Sequence, residues 1–259
     1  MAGIVLITGG SRGIGAATAR KAASAGYAVA VNYRQDDEAA SALIRDLQSS
    51  GTVAIAVQGD VSSQDDIVRV FDSVSEQIGV PTALVNSAGI SGGHSRVEDF
   101  DSAVLEQLMK VNVIGTMLCC REAAKRMSTA NGGSGGAIVN VTSMAGTIGG
   151  RPGSSHYAAS KAALDSFTMG FAKEVATEGI RVNAVRPGVT LTDMTAAVRD
   201  DPKLRRDVVA TIAMNRAAEP EEMAAPIVWL LSDEASFISG CRLDASGGGF
   251  VIAASTKET

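Results

Sequence analysis

Thr8-Gly9-Gly10-Ser11-Arg12-Gly13-Ile14-Gly15 joins a short apolar run, Ile4 to Thr8, to a segment of helical length, Ile14 to Ala25. Glycines at such a junction remove the side chains that would hold backbone amides away from a phosphate, and the positive end of the following helix favours the negative charge. The stretch reads as a dinucleotide-binding turn, with Gly9, Ser11, Arg12, Gly13, Ile14 and Gly15 as its contacts. Its spacing is Gly-x-x-x-Gly-x-Gly, which differs from the Gly-x-Gly-x-x-Gly of the general fingerprint.

Outward from this turn, short β-branched runs alternate with longer amphipathic segments. The expected strands are Ile4 to Thr8, Ala28 to Tyr33, Val53 to Val57, Ala83 to Asn86, Ala137 to Thr142, Ile180 to Val185 and Cys241 to Asp244. The expected helices are Ile14 to Ala25, Asp37 to Ser49, Gln64 to Gln77, Ser102 to Met127, Tyr157 to Glu178 and Glu221 to Leu231. Parallel strands need such crossovers, and strands covered on both faces run almost continuously apolar, as these do. The expected fold is α/β: a single-domain, doubly wound parallel seven-stranded sheet with helices on both faces, spanning residues 1–259. No repeat or linker interrupts it, and Asn131 to Gly136, NGGSGG, reads as a flexible turn.

The formal net charge is −5 with Lys and Arg scattered, which leaves no phosphate-backbone footprint and argues against nucleic acid as a partner. The opening MAGIVLITGG is interrupted by glycines too early for a membrane span and lacks a basic start, so it reads as a buried strand. Cys119, Cys120 and Cys241 show neither zinc-ligand spacing nor a disulfide framework and read as small core residues in a reducing cytoplasm. His94 and His156 pair with no cysteine or carboxylate at metal-ligand spacing, so no metal is expected.

Further motifs follow in order: Asp60-Val61 after the third strand, Asn86-Ser87-Ala88-Gly89 after the fourth, Ser143, Tyr157-x-x-x-Lys161, and Arg186-Pro187-Gly188 with Thr192. With the Thr-Gly-x-x-x-Gly-x-Gly turn, they make the chain resemble the short-chain dehydrogenase/reductase family over nearly its whole length. The resemblance implies a Rossmann-type fold. It also implies an adenine contact at Asp60 and Val61, a cofactor contact through Asn86, Ala88 and Gly89, and a nicotinamide contact from Pro187, Gly188 and Thr192. Ser87 and Thr190 depart from the family's commoner residues, Asn and a branched aliphatic.

Tyr157 and Lys161 lie four apart on an expected helix and share a face, and an ammonium beside a phenol favours the phenolate. Ser143 sits at the carboxyl end of an expected strand, where α/β sites assemble. The resemblance assigns Tyr157 as the proton donor or acceptor and Ser143 as the group that orients the substrate oxygen. Lys161 would lower the Tyr157 pKa and bind the nicotinamide ribose, and Asn112, inside a helix, would anchor a water of a proton relay. The implied activity is hydride transfer between a nicotinamide and a carbonyl or alcohol carbon of a small substrate. A catalytically silent NADP-binding regulator on the same fold is the alternative, and the intact Asn112, Ser143, Tyr157 and Lys161 favour the enzyme.

NADP is expected over NAD. The second strand ends Val31-Asn32-Tyr33-Arg34 with no carboxylate, whereas an NAD enzyme places Asp or Glu there for the ribose 2′-hydroxyl. Arg34 and Arg12 could clamp a 2′-phosphate, and Asp36 and Asp37 are the residues that could instead bind a ribose hydroxyl. The substrate pocket is expected from Gly92 to Arg96, Ala145 to Ser155 and a loop at about 190–215. The motifs resemble 3-oxoacyl-carrier-protein reductases and sugar dehydrogenases equally, and the uncharged Ser128 to Gly136 argues against an acidic carrier protein. A homotetramer, packed through Ser102 to Met127 and Tyr157 to Glu178, is implied by the resemblance.

Overall fold

The computed structural model describes residues 2–249. Among them, seven strands form one sheet: β1 (Ile4–Thr8), β2 (Ala28–Tyr33), β3 (Ala54–Gln58), β4 (Ala83–Asn86), β5 (Gly136–Val141), β6 (Ile180–Pro187) and β7 (Arg242–Ala245). The order is β3-β2-β1-β4-β5-β6-β7 and every pairing is parallel. Chain direction across the sheet reverses between β1 and β4, and the crevice beyond the carboxyl ends at such a switch point is where doubly wound folds bind ligands.

The crossovers are α1 (Gly13–Ser24), α2 (Asp37–Ser49), α3 (Gln64–Gln77), α4 (Ser102–Met109), α5 (Thr116–Met127), α6 (Ala145–Ile148), α7 (Ser155–Glu174), α8 (Ala196–Asp200), α9 (Pro202–Val209) and α10 (Pro220–Leu231). Strand alternation feeds two cores. Val5, Ile7, Val29, Val31, Val85 and Val139 pack with residues of α1, α2 and α10, while Leu6, Ala30, Leu84 and Ile138 pack with residues of α3, α5 and α7. Leu6, Leu84 and Ile138 are fully buried, and truncating any one to alanine costs about 2–5 kcal/mol.

The strands stand where the apolar runs place them, to within a residue or two at their ends. Two expectations need correction. Ser102 to Met127 is not uniformly α-helical: Lys110–Gly115 is a π-helical turn between α4 and α5. A Cβ on Gly115 would lie 2.4 Å from the Val61 carbonyl oxygen, so the bare glycine lets this turn press against the end of β3. The apolar periodicity runs through the turn unbroken, which is why the sequence hides it. The same run has the length and composition of a membrane span, but its apolar side packs against α3, α7 and the sheet. The segment at 190–215 is not an open loop either, since α8 and α9 lie within it. Asp201 starts α9 by accepting from the Lys203 and Leu204 amides, with Pro202 in the first turn.

Candidate active site

The turn after β1 is a backbone cradle. Gly9 has φ +60° and a Cβ there would lie 2.7 Å from the Ala88 Cα; Gly13 has φ +53° and faces the Thr192 methyl. A Cβ on Gly15 would lie 2.4 Å from the Gly9 carbonyl oxygen. The turn is thus closed on itself and seated on the loops after β4 and β6, with Ser11 and Ile14 half-buried and Arg12 exposed. The Thr8 hydroxyl accepts from the Ala88 amide at 3.3 Å. Arg12 caps α1 without a side-chain hydrogen bond, so the first amides of that helix have no capping side chain.

At the adenosine end, the structure revises the role of the second strand. Asn32 is buried, and its amide donates to the Val57 and Gly59 carbonyls at 3.3 and 2.9 Å. It braces β2 against β3, and Tyr33, the next residue at the strand end, is half-buried. Asp36 caps α2 by accepting from the Ala39 amide. The Tyr33 phenol hydrogen-bonds Asp37, which with burial raises its pKa. Both carboxylates that could hold a ribose hydroxyl are therefore engaged. Arg34 is exposed, 3.7 Å from Asp60, whose other oxygen accepts from the Ser62 amide. Val61 is buried beneath the π-helical turn.

Asn86 turns inward. Its amide donates to Asn140 Oδ1 at 2.9 Å and to Cys120 Sγ at 3.3 Å, and Asn140 continues to Thr168. Its side chain belongs to a buried network between β4, β5, α5 and α7, which leaves the backbone of Asn86, Ala88 and Gly89 toward the crevice. Asn112 is likewise fully buried. It grips Ile90 through both backbone atoms at 2.9 Å and donates to the Ser160 hydroxyl at 3.1 Å, so its side chain is fully committed. Its carbonyl accepts from the Thr116 hydroxyl.

Ser143, Tyr157 and Lys161 converge where β5 ends and α7 begins. Lys161 Nζ donates to the Val141 carbonyl at 2.9 Å and lies 5.9 Å from the centroid of the Tyr157 ring. A Cβ on Gly89 would lie 3.4 Å from Asn112 Oδ1 and 3.5 Å from Lys161 Nζ, so this glycine keeps the lysine's surroundings open. Burial pulls Lys161 down to about 8 against the opposing charge of Asp165. Burial also raises the Tyr157 phenol, and the Ser143 side chain, its hydrogen-bonding partner, pulls it back in part. The expected depression of the phenol by Lys161 is not what this structure shows: burial dominates, and Ser143 is the group that counters it. A phenol beside a hydroxyl and an ammonium can pass a proton to an oxygen held between them.

Pro187 and Gly188 close the crevice from β6. The Pro187 carbonyl accepts from Met144, and a Cβ on Gly188 would lie 2.8 Å from the Ser246 Cα. Thr192 and Thr195 form a reciprocal cap beside Gly13. His156 is buried, edge-on to Phe100 with ring centroids 5.1 Å apart and close against Gly92, whereas exposed His94 reaches Ser154 at 3.3 Å. Tyr33, Ser160 and Asp165 belong to none of the motifs named above. Only Asp165 left a signal in the sequence, as a carboxylate four residues after Lys161.

The family model described as Enoyl-(Acyl carrier protein) reductase matches residues 9–249. The chain is 45% identical over 245 residues to the "Uncharacterized oxidoreductase YgfF" of Escherichia coli (strain K12), covering 95% of this chain and 99% of that protein. It is 36% identical over 250 residues to the 3-oxoacyl-[acyl-carrier-protein] reductase of Synechocystis sp., covering 95% and 96%. A short chain dehydrogenase from Burkholderia cenocepacia J2315, solved in complex with NADP, superposes with a TM-score of 0.86 at 34% identity, covering 94% of this chain and 96% of that one.

Proposed function

Because the chain belongs to the short-chain dehydrogenase/reductase family, we propose that it is an NADP-dependent oxidoreductase acting on a carbonyl or alcohol carbon of a small substrate. The carrying observation is the convergence of Ser143, Tyr157 and Lys161 beside the cradle of Gly9, Gly13 and Gly15. The residues present fit a dinucleotide, since the first amides of α1 have no capping side chain and the turn before them is closed by glycines. Ser11, Arg12, Ile14, Ala88, Pro187, Gly188 and Thr192 would hold the cofactor together with those glycines, with Asp60 and Val61 at the adenine. When bound, the nicotinamide supplies or accepts the hydride.

The chain's own residues handle the proton. Tyr157, kept protonated by burial, donates to the substrate oxygen in reduction, and Ser143 orients that oxygen. Lys161 carries its charge below about 8, where it stabilises the developing phenolate and binds a ribose hydroxyl. Asn112 holds the loop after β4 in register with α7. Arg34, with Arg12, serves the 2′-phosphate. The substrate walls come from residues 92–96, 145–155 and 190–215, where Arg151 reaches Thr211 at 3.0 Å.

The relative named for a carrier-protein substrate supplies a second reading, against which stands the charge pattern at the end of α5. Glu122 is buried. Burial alone would raise its pKa, but hydrogen bonds from Lys125, Arg126 and Arg121 hold it at about 2, and Arg126 also pairs with Asp72. With the uncharged Ser128 to Gly136 following, little free positive charge is left there for an acidic protein, which favours a free small molecule. Homotetramer assembly belongs to the same reading, supported by exposed Val104, Met109 and Ile114 on the α4–α5 run.

The test is NADPH oxidation with a panel of ketones, sugars and a carrier-bound 3-oxoacyl thioester, repeated with Tyr157→Phe. The variant should retain NADPH binding and lose turnover to below a few per cent. Turnover that survives the change removes Tyr157 from its role, and NADPH binding without turnover of any substrate in the wild type would favour the silent regulator.

A further inference from the structure

Asp165 is buried on α7 one helical turn after Lys161. Its Oδ2 accepts from Arg186 Nε at 2.9 Å, while Oδ1 is buried with no hydrogen-bond partner. Arg186, on β6, is itself mostly buried and turns its Nη1 to Asp244 on β7 at 3.1 Å. One guanidinium is thus shared by two carboxylates, and the trio carries a net negative charge. Asp244 is half-exposed, so solvent screens its share. The charge that Arg186 leaves unneutralised is therefore least screened on the buried Asp165 carboxylate.

A structural ion pair between α7 and β6 would be complete with a bidentate arginine and no leftover charge. A buried carboxylate oxygen without a partner needs another reason, and one cation stands a turn away. Besides Tyr157 and Asp165 on its own helix, the groups facing Lys161 are neutral: the Val141 carbonyl of β5, Asn112 of the π-helical turn, and Gly89 after β4.

We propose that Asp165, anchored by Arg186 and Asp244, is a positioning residue that holds Lys161 in its charged form for the proton chemistry of Tyr157, an inference that rests on the oxidoreductase reading. Burial draws Lys161 down and the Asp165 charge is the cause that acts against it. Without that charge the lysine would lose its proton nearer neutrality. Arg186 attenuates the same carboxylate, so removing Arg186 should act in the opposite sense.

The test uses the full-length protein with carbon-13 at lysine Cε, the Lys161 signal being identified by its loss in Lys161→Met. In Asp165→Asn its titration midpoint should fall by about one pH unit. In Arg186→Gln it should rise, and in the double variant it should lie between the two. An unchanged midpoint in Asp165→Asn, or movement of both single variants in the same direction, overturns the proposal. If Asp165→Asn does not fold, Arg186→Gln decides: a rise supports the proposal and no rise overturns it. Loss of packing alone would lower activity without moving a midpoint. The alkaline limb of kcat/KM for carbonyl reduction should follow the midpoints, and a limb that stays fixed overturns the catalytic part. If no carbonyl substrate is turned over, the oxidoreductase reading fails, while the titration still decides whether Asp165 holds the lysine charged.

Discussion

Lys161 is held in a setting that disfavours its own charge. Its folded-state pKa of about 8 lies below the ordinary lysine value, so the unfolded chain binds the proton more tightly. The cost to stability is present in full below about pH 8 and disappears as pH rises past the unfolded value. At most it amounts to about 3 kcal/mol. Lys161→Met should therefore melt above the wild type at pH 7, with the gain shrinking toward pH 10, while reductase activity is lost; a variant melting at or below the wild type at pH 7 contradicts this. For the cofactor, Arg34→Leu should lower kcat/KM for NADPH relative to NADH by about tenfold or more, the worth of a hydrogen bond to a charged group. An unchanged ratio would assign the 2′-phosphate elsewhere. Asn32→Asp is a poor probe of the same question, because it would set a carboxylate against the Val57 and Gly59 carbonyls. That distinction was illegible in Val31-Asn32-Tyr33-Arg34: strand alternation says that neighbours face opposite ways, but not which of the two faces the ligand.

At the scale of elements, the glycine turn and the strand before it were legible because a single physical requirement fixes both, a phosphate at a helix terminus beyond a buried strand. The Tyr157 and Lys161 spacing was legible for a similar reason, since helical periodicity alone brings residues four apart together. The π-helical turn was not, because its cause is a tertiary contact between Gly115 and Val61 that leaves the apolar pattern intact. Its consequence is testable. Gly115→Ala should force the turn away from β3, destabilise the protein by about 1–3 kcal/mol and disturb the clamp that Asn112 places on Ile90. Thermal melting and cofactor affinity should both fall, and a variant with wild-type melting would show that the turn tolerates a side chain. Asn131 to Gly136 turns as its glycines suggest, with Gly132 in a left-handed conformation closing the 3-10 turn Thr129–Asn131, but it is closely packed: a Cβ on Gly133 would lie 2.5 Å from the Arg126 carbonyl oxygen and one on Gly136 2.0 Å from that of Thr82.

For the whole molecule, the parallel direction of the sheet followed from alternation of strand and helix, whereas assembly did not, because surface apolar residues look alike whether or not a partner covers them. Val104, Met109 and Ile114 are each more than a third exposed along one run. Replacing Val104 and Ile114 by lysine should convert a tetramer to smaller species in sedimentation at micromolar concentration, and a wild-type monomer under those conditions would reject the assembly. The switch in strand order carries a further consequence, for synthesis. Val5 pairs with Val29 on one side and with Ala83 on the other. As the chain leaves the ribosome, β1 to β3 can join early, but the inner edge of β1 stays open until β4 has been made. During that interval β1, an interior strand of the finished sheet, is an edge strand, with unpaired backbone groups ready to accept a strand from a neighbouring nascent chain. The window of risk for aggregation therefore falls in the first third of translation, and pausing there would lengthen it.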